Sequence, residues 1–267
     1  MKVGLLIAIE RELKAFLNSG EEIREEAADG RKVYRTRIGD NEIFALCSGA
    51  GEIDAAAGTQ LLISRYGCEQ MLNFGVTGAL DPSLRVEDLF VAEAVCHYDF
   101  DVSPIDPVKP HQYTEFPDEF IPLDRELIRR AKAADPTLRE TRVASGDRFV
   151  EDRALKRELF ALGCQICDME IAAIARVCFL NGIPCLSIKC ISDTYEGGSG
   201  DFMTNVERSA EREAGLRRPA AGAGRDVGSR RFRARILQTP HGGCREQKPG
   251  IEERTRKRSR CKSTIHR

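Results

Sequence analysis

Short, uninterrupted apolar runs alternate along this chain with amphipathic segments, and that alternation limits the folds open to it. The runs "KVGLLIA" (2–8), "QMLNFGVTGAL" and "PCLSIKCIS" (184–192) show no regular polar face. Strands of that kind have to be covered on both sides, which calls for helices on both faces of a largely parallel sheet. The covering helices are predicted over 53–67, ending at Gly67, over 124–134, in "EDRALKRELFALG", ending at Gly163, over 169–181, and from about Asp201 onward. A glycine just past the last periodic residue is a helix stop, because it accepts the left-handed backbone of a C-terminal cap. "KVYRTRIGDNEIFALCSG" reads as two strands around a Gly39-Asp40-Asn41 turn. The expected fold class is α/β, with no internal repeat.

Charge divides the chain in two. Residues 215–267 carry a formal +12 and residues 1–214 a formal −13, although the whole sums to −1. The acidic part argues against nucleic acid as its partner. The basic part lacks apolar periodicity and is rich in Gly, Pro and Arg, so a disordered tail is expected after about Ala214. Two origins stay open for it: a basic nucleic-acid arm, or a reading-frame artefact in place of a natural C-terminus. No run approaches a membrane span, and "MKVGLLIAIERELKAF" reads as a first strand rather than a leader peptide. Ten cysteines without secretory context point to free thiols in a reducing cytoplasm. Cys164-x-x-Cys167 has no second pair at zinc spacing and is read as two buried thiols rather than a metal or redox site.

Several strand ends are polar. Glu10 and Glu12, Ser48 to Gly51, Gly75 to Gly78, Ser145 to Asp147, Asp168 to Glu170, and Ser192-Asp193 all follow apolar runs. Ligands of α/β folds bind at such ends. The carboxylates at the junction "CDMEIAAIARVC" are therefore expected to face a polar cleft rather than the core, where an ionised acid is costly. Neither a P-loop nor a GxGxxG motif occurs, and no His, Arg or Cys recurs among the strand ends.

With those residues in view, the chain resembles the nucleoside phosphorylase/hydrolase superfamily, most closely the 5'-methylthioadenosine/S-adenosylhomocysteine nucleosidases. "SGAGEIDAAAGTQLL", "NFGVTGAL", "CHYDFDVSPID", "SGDRFV", "CDMEIAAIARVC" and "KCISD" stand in family order over residues 1 to about 210. The resemblance implies a single catalytic domain over 1–214 with a central mixed, twisted sheet flanked by helices on both faces. It also implies a homodimer, a purine nucleoside as ligand, and neither metal nor cofactor. On this reading Asp193 protonates the leaving purine, Glu12 takes a proton from the attacking water, and Glu170 binds ribose hydroxyls. Met169 lies beside the sugar, Phe149 stacks on the base, and the Val150 backbone reads its edge. Ile9, Ala50 and Val76 complete the substrate-binding set. The chemistry is that of a glycosidase, with carboxyl groups held in different protonation states.

Read without the resemblance, Glu12 is an exposed first-turn helix acid, Asp193 a turn or cap residue, Asp168 a helix cap and Phe149 ordinary core. Lys189 sits inside an apolar strand, so a buried or cleft-facing place is expected, with its partner unidentified. The chain also departs from the family pattern. Val76 replaces a serine, Lys189 an arginine, Asp168 a glutamate, Glu52 a lysine, and Ala50 a larger apolar residue of the 5' pocket. Phe74 occupies a place where related phosphorylases bind phosphate through arginine, which favours water as nucleophile. Another nucleoside hydrolase or phosphorylase of the fold, and a non-catalytic nucleoside-binding protein, stay open as alternatives.

Overall fold

The structure is a computed structural model that describes residues 1–17 and 22–213. The basic segment 215–267 lies outside the described residues. Ten strands and six helices follow in order: β1 (Lys2–Ile7), α1 (Glu10–Leu17), β2 (Arg24–Ala28), β3 (Arg31–Ile38), β4 (Asn41–Cys47), α2 (Glu52–Tyr66), β5 (Gln70–Ala79) and β6 (Leu89–His97). The second half holds β7 (Ile121–Pro122), α3 (Arg125–Ala134), β8 (Arg139–Ser145), α4 (Arg153–Ala161), β9 (Ile166–Asp168), α5 (Ile171–Asn181), β10 (Cys185–Asp193) and α6 (Ser199–Glu213).

The strands form one mixed sheet in the order β10-β6-β8-β9-β5-β1-β4-β3-β2, with β7 paired to β6. A further pairing of β10 with β5 closes β5, β10, β6, β8 and β9 into a ring, from which β1, β4, β3 and β2 extend as an open wing. β5 is the hinge of this arrangement. It runs parallel to β10 along most of its length. β1 pairs only with its first part, Gln70 to Asn73, and β9 only with its end, Gly78 and Ala79. Residues 74–77 pair with neither β1 nor β9, so the sheet forks there.

Helices cover the sheet as the apolar runs require. α2 packs on β1, β4 and α5, while α6 packs on β10, β5 and α1. The core is continuous through Leu5, Leu6, Leu46, Leu62, Leu72, Val91, Val143 and Ile188, all buried. Gly67 ends α2 and Gly182 ends α5, both in the left-handed conformation. Asp124 and Asp152 cap α3 and α4 through the amides of Leu127 and Leu155.

Three elements escape a periodicity reading. β2, "REEAA", is an exposed edge strand held by its hairpin with β3, and carries almost no apolar signal. β7 is two residues long and contains Pro122. α1 begins only three residues after β1, so its amphipathic face follows the strand's apolar run almost without a break.

Gly58 sits inside α2, where glycine costs about 1 kcal/mol relative to alanine. A Cβ there would lie 2.8 Å from Leu6 Cδ1 and 2.9 Å from Leu46 Cδ2. The missing side chain lets the helix approach the sheet closely. Gly58→Val should therefore destabilise the fold by roughly 1–3 kcal/mol through overpacking, read as a lower urea midpoint with an unchanged slope.

Candidate active site

A cavity of about 310 Å³ opens over the fork in β5. Its walls come from the C-terminal ends of β1, β5, β8, β9 and β10, together with the loop before α2 and the start of α6. This volume is at the lower end of ligand cavities, about 300–1,000 Å³, the scale of a single nucleoside. Every residue assigned from the sequence lines it: Glu12, Asp193, Phe149, Val150, Met169, Glu170, Ile9, Ala50 and Val76.

The surroundings correct the expectation of a polar cleft. Glu12, Asp168, Glu170 and Asp193 are all buried, and much of the remaining wall is apolar, including Ile9, Val76, Phe149, Val150, Met169 and Phe202. The acids are thus buried and poorly solvated in the wall of an open-mouthed cavity. Glu12 is in the first turn of α1 but is not exposed. Asp193 ends β10 and is not a cap, its Oδ1 accepting from Ser192 Oγ at 2.8 Å. Phe149 is partly exposed, not core.

The fork explains how Glu12 is held. Its Oε1 accepts from the Val76 amide at 2.7 Å, and its Oε2 from the Ile9 amide at 3.3 Å. The Gly75 amide is bonded by Glu213 Oε1 at 2.9 Å, at the end of α6. Side-chain carboxylates thus bond amides in the stretch where β1 and β9 are absent. Gly78 leaves space on the same strand. A Cβ there would lie 2.8 Å from Asp193 Oδ2 and 3.2 Å from Cys167 Sγ.

Burial sets the protonation. It pushes Glu12 above the ordinary carboxylate range, against the opposing bonds from Val76 and the charge of Lys189. It raises Asp193 to about 6, in spite of the Ser192 hydroxyl. Glu170 is raised to about 7 by burial and by the neighbouring Asp168, with Lys189 opposing. Lys189 is fully buried, and its Nζ lies 2.6 Å from Asp168 Oδ2, which supplies the partner the sequence could not name. Burial alone would lower the lysine, but Asp168, Glu170 and Glu12 outweigh it and hold it charged.

Asp168 also caps α5, but it shares that work. Its Oδ1 accepts weakly from the Glu170 and Ile171 amides at 3.5 and 3.4 Å. The Ala172 amide donates to Ser145 Oγ at 3.1 Å, and the Ala173 amide to Glu52 Oε2 at 2.5 Å. Ser145 Oγ in turn donates to Glu52 Oε1 at 2.6 Å. Glu170 occupies the N-cap position, yet its side chain makes no cap bond. It reaches instead to the Gly51 amide at 3.1 Å and its own neighbour Met169 at 3.2 Å. Burial and the charge of Asp168 raise Glu52 to about 8.

Phe202 meets Phe149 edge to face, with centroids 5.7 Å apart at 75°. Phe202 and Arg148 line the cavity without having been singled out from the sequence. The spacing of Phe202 from Phe149 carries no signal, because only the folded sheet brings α6 to the loop after β8. Cys164 and Cys167 are buried, and burial raises both thiols far from reactivity. A second cavity, of about 380 Å³, is lined by Phe116, Leu123, Phe179 and Ile183, and has no cluster of acids like the one over β5.

Two outcomes follow from this charge arrangement. Lys189→Met leaves Asp168 buried without its cation and should cost roughly 3–5 kcal/mol in a denaturant titration. Adding Asp168→Asn to that variant should restore much of the loss. The second outcome is a pH dependence. Glu52, Glu170 and Asp193 have raised folded-state values, of about 8, 7 and 6, so the native protein retains protons that the unfolded chain has lost. Stability should thus fall as pH rises from the ordinary carboxyl range toward about 8. Melting curves across that range should show the fall, and Glu52→Gln should flatten its upper part.

Comparison with known proteins agrees with the fold and places the chain in a family. Residues 2–220 match the model of the phosphorylase superfamily. A 5'-methylthioadenosine/S-adenosylhomocysteine nucleosidase of Hydrogenovibrio crunogenus is 33% identical over 201 residues, 72% of this chain and 85% of that enzyme. An aminodeoxyfutalosine nucleosidase of Campylobacter jejuni is 28% identical, across 79% of this chain and 94% of that protein. The futalosine hydrolase structure of Helicobacter pylori superposes with a TM-score of 0.76 at 29% identity, covering 81% of this chain and 95% of the other. The chain belongs to the phosphorylase superfamily.

Proposed function

We propose that this protein is a purine nucleosidase that hydrolyses the N-glycosidic bond of nucleosides like 5'-methylthioadenosine and S-adenosylhomocysteine, releasing adenine and a thioribose. The observation that carries this reading is the convergence of Glu12, Glu170 and Asp193 on one cavity. They arrive from the ends of three strands far apart in sequence, and each has its own set of partners.

The chemistry divides among them. Asp193, raised to about 6, is an acid of suitable strength to protonate a departing purine near neutrality. Glu12, anchored by the Val76 amide, takes a proton from water attacking the sugar carbon. Glu170 accepts hydrogen bonds from ribose hydroxyls, which hold the sugar while positive charge develops on it. Phe149 stacks on the base, with Phe202 against its edge, and the Val150 backbone reads the purine. Water suits this site better than phosphate. Lys189 is committed to Asp168, and a phosphate dianion would add charge beside the buried acids Glu12 and Glu170, which burial already holds above the ordinary carboxylate range.

The relatives divide between adenine thionucleosides and aminodeoxyfutalosine. The thionucleosides are the principal reading, and aminodeoxyfutalosine is the second. Ala50 favours the second, since a small residue there enlarges the space for a 5' group. A homodimer, a cytoplasmic setting and a catalytic unit bounded near residue 214 belong to the same proposal.

A substrate panel assayed for free base, with and without phosphate, tests the reading. Turnover should be independent of phosphate and yield free sugar. A sugar 1-phosphate as main product would assign the protein to phosphorolysis. Glu12→Gln and Asp193→Asn should each lower turnover by roughly 10²-fold or more while keeping the fold. Wild-type rates in either folded variant would refute the assignment. The pH profile should be a bell, its alkaline limb reporting Asp193.

A further inference from the structure

Glu52 has no part in the mechanism above, yet it is a buried carboxylate bonded to the element that carries Glu170. Two helix N-termini meet here, and each lends a glutamate to the other. Glu170, at the start of α5, bonds the Gly51 amide at the start of α2. Glu52, at the start of α2, bonds the Ala173 amide in the first turn of α5. Ser145 joins the two, donating to Glu52 and accepting from Ala172. Asp147 completes the clasp by accepting from the Glu52 amide at 2.7 Å.

The orphan amides at a helix start normally take a bond from the N-cap side chain. If Glu170 met that need itself, its carboxylate would fold back on α5. In this protein Asp168, Ser145 and Glu52 meet the need from elsewhere, so Glu170 is free to extend into the cavity. Gly51 is required for the approach. Its φ of +105° suits glycine, and a Cβ there would lie 2.9 Å from Asp147 Oδ1.

We infer that Glu52 is a positioning residue for sugar recognition: by capping α5 in place of Glu170, it fixes the Glu170 carboxylate where the ribose hydroxyls bind. This rests on the reading of the cavity as a nucleoside site. It predicts that Glu52 acts on substrate only through a hydroxyl, which a general structural role would not do.

The test compares 5'-methylthioadenosine with its 2'- and 3'-deoxy analogues in the full-length protein. Glu52→Ala should lower kcat/KM for the ribonucleoside on the order of 10–100-fold, the scale of a misplaced binding group. The analogue lacking the hydroxyl held by Glu170 should lose no more than about twofold, because the two changes remove one shared interaction. Glu52→Gln keeps an acceptor for the Ala173 amide and reverses the Ser145 bond, its amide donating to Ser145 Oγ, and should restore most of the ribonucleoside rate. Should Glu52→Ala not fold, Ser145→Ala removes the adjoining cap and must show the same selective loss. Equal losses on ribo- and deoxy-substrates, or none, would overturn the inference. Glu170→Ala separates the two levels. If it abolishes hydroxyl discrimination while Glu52→Ala and Ser145→Ala do not, only the role of Glu52 fails. If Glu170→Ala leaves discrimination intact, the nucleoside reading of the cavity fails with it.

Discussion

The fork in β5 is the constraint around which the rest is arranged. A central strand cannot leave buried amides without partners, because an unpaired buried donor costs about 1–3 kcal/mol. β5 loses its neighbours β1 and β9 over residues 74–77. Glu12 and Glu213 bond the amides of Val76 and Gly75 there. The opening that makes room for a ligand therefore also brings a carboxylate to its floor. Strand geometry and the placing of a buried acid meet in one hydrogen bond.

Collecting buried acids around one cavity raises a second problem, that of charge. Glu12, Asp168 and Glu170 act on the buried cation Lys189, and Glu52 adds a fourth acid beside Asp168. Ionising all of them would be costly, and protons are retained instead. That retention suits acid–base chemistry near neutrality. It also makes the fold weaker as pH rises, so the same burial that tunes the site limits stability. The raised Asp193 lies at another strand end, and Lys189 is not among the groups that set its protonation.

Much of this was legible in the sequence, and what was not had a physical reason. The strands showed themselves because burial on both faces demands continuous apolar runs. Glu12, Glu170 and Asp193 stood out through the family motifs that carry them, since taken alone Glu12 reads as a first-turn helix acid and Asp193 as a turn or cap residue. The edge strand β2 did not, since one exposed hairpin partner needs no apolar face. Phe202 and Glu213 were silent because α6 reaches the cavity only through the closure of β10 on β5. Glu52 was legible only as an acid where the family pattern has a lysine, with no sign that it is buried. Its burial comes from the approach of α5, more than a hundred residues later, which no local pattern records.

The departures from the family pattern become coherent once they are placed in space. Lys189 for arginine and Asp168 for glutamate are two positions far apart in sequence, yet they form one ion pair at 2.6 Å. Both side chains are the shorter member of their charge type, yet they meet directly because the end of β9 lies close to β10. Lysine lacks the planar fork of arginine and can serve fewer acceptors at once. Glu52 in place of lysine then adds an acid where the pattern supplies a cation. Its carboxyl is accommodated by Ser145 and the α5 amides rather than by a counter-ion. The three changes cluster around the start of α5, with Asp168 itself in the cavity wall, and leave the identities of Glu12, Glu170 and Asp193 unaltered. In a buried charge cluster of this kind, removing one charge leaves its partner uncompensated, so each member is costly to change alone.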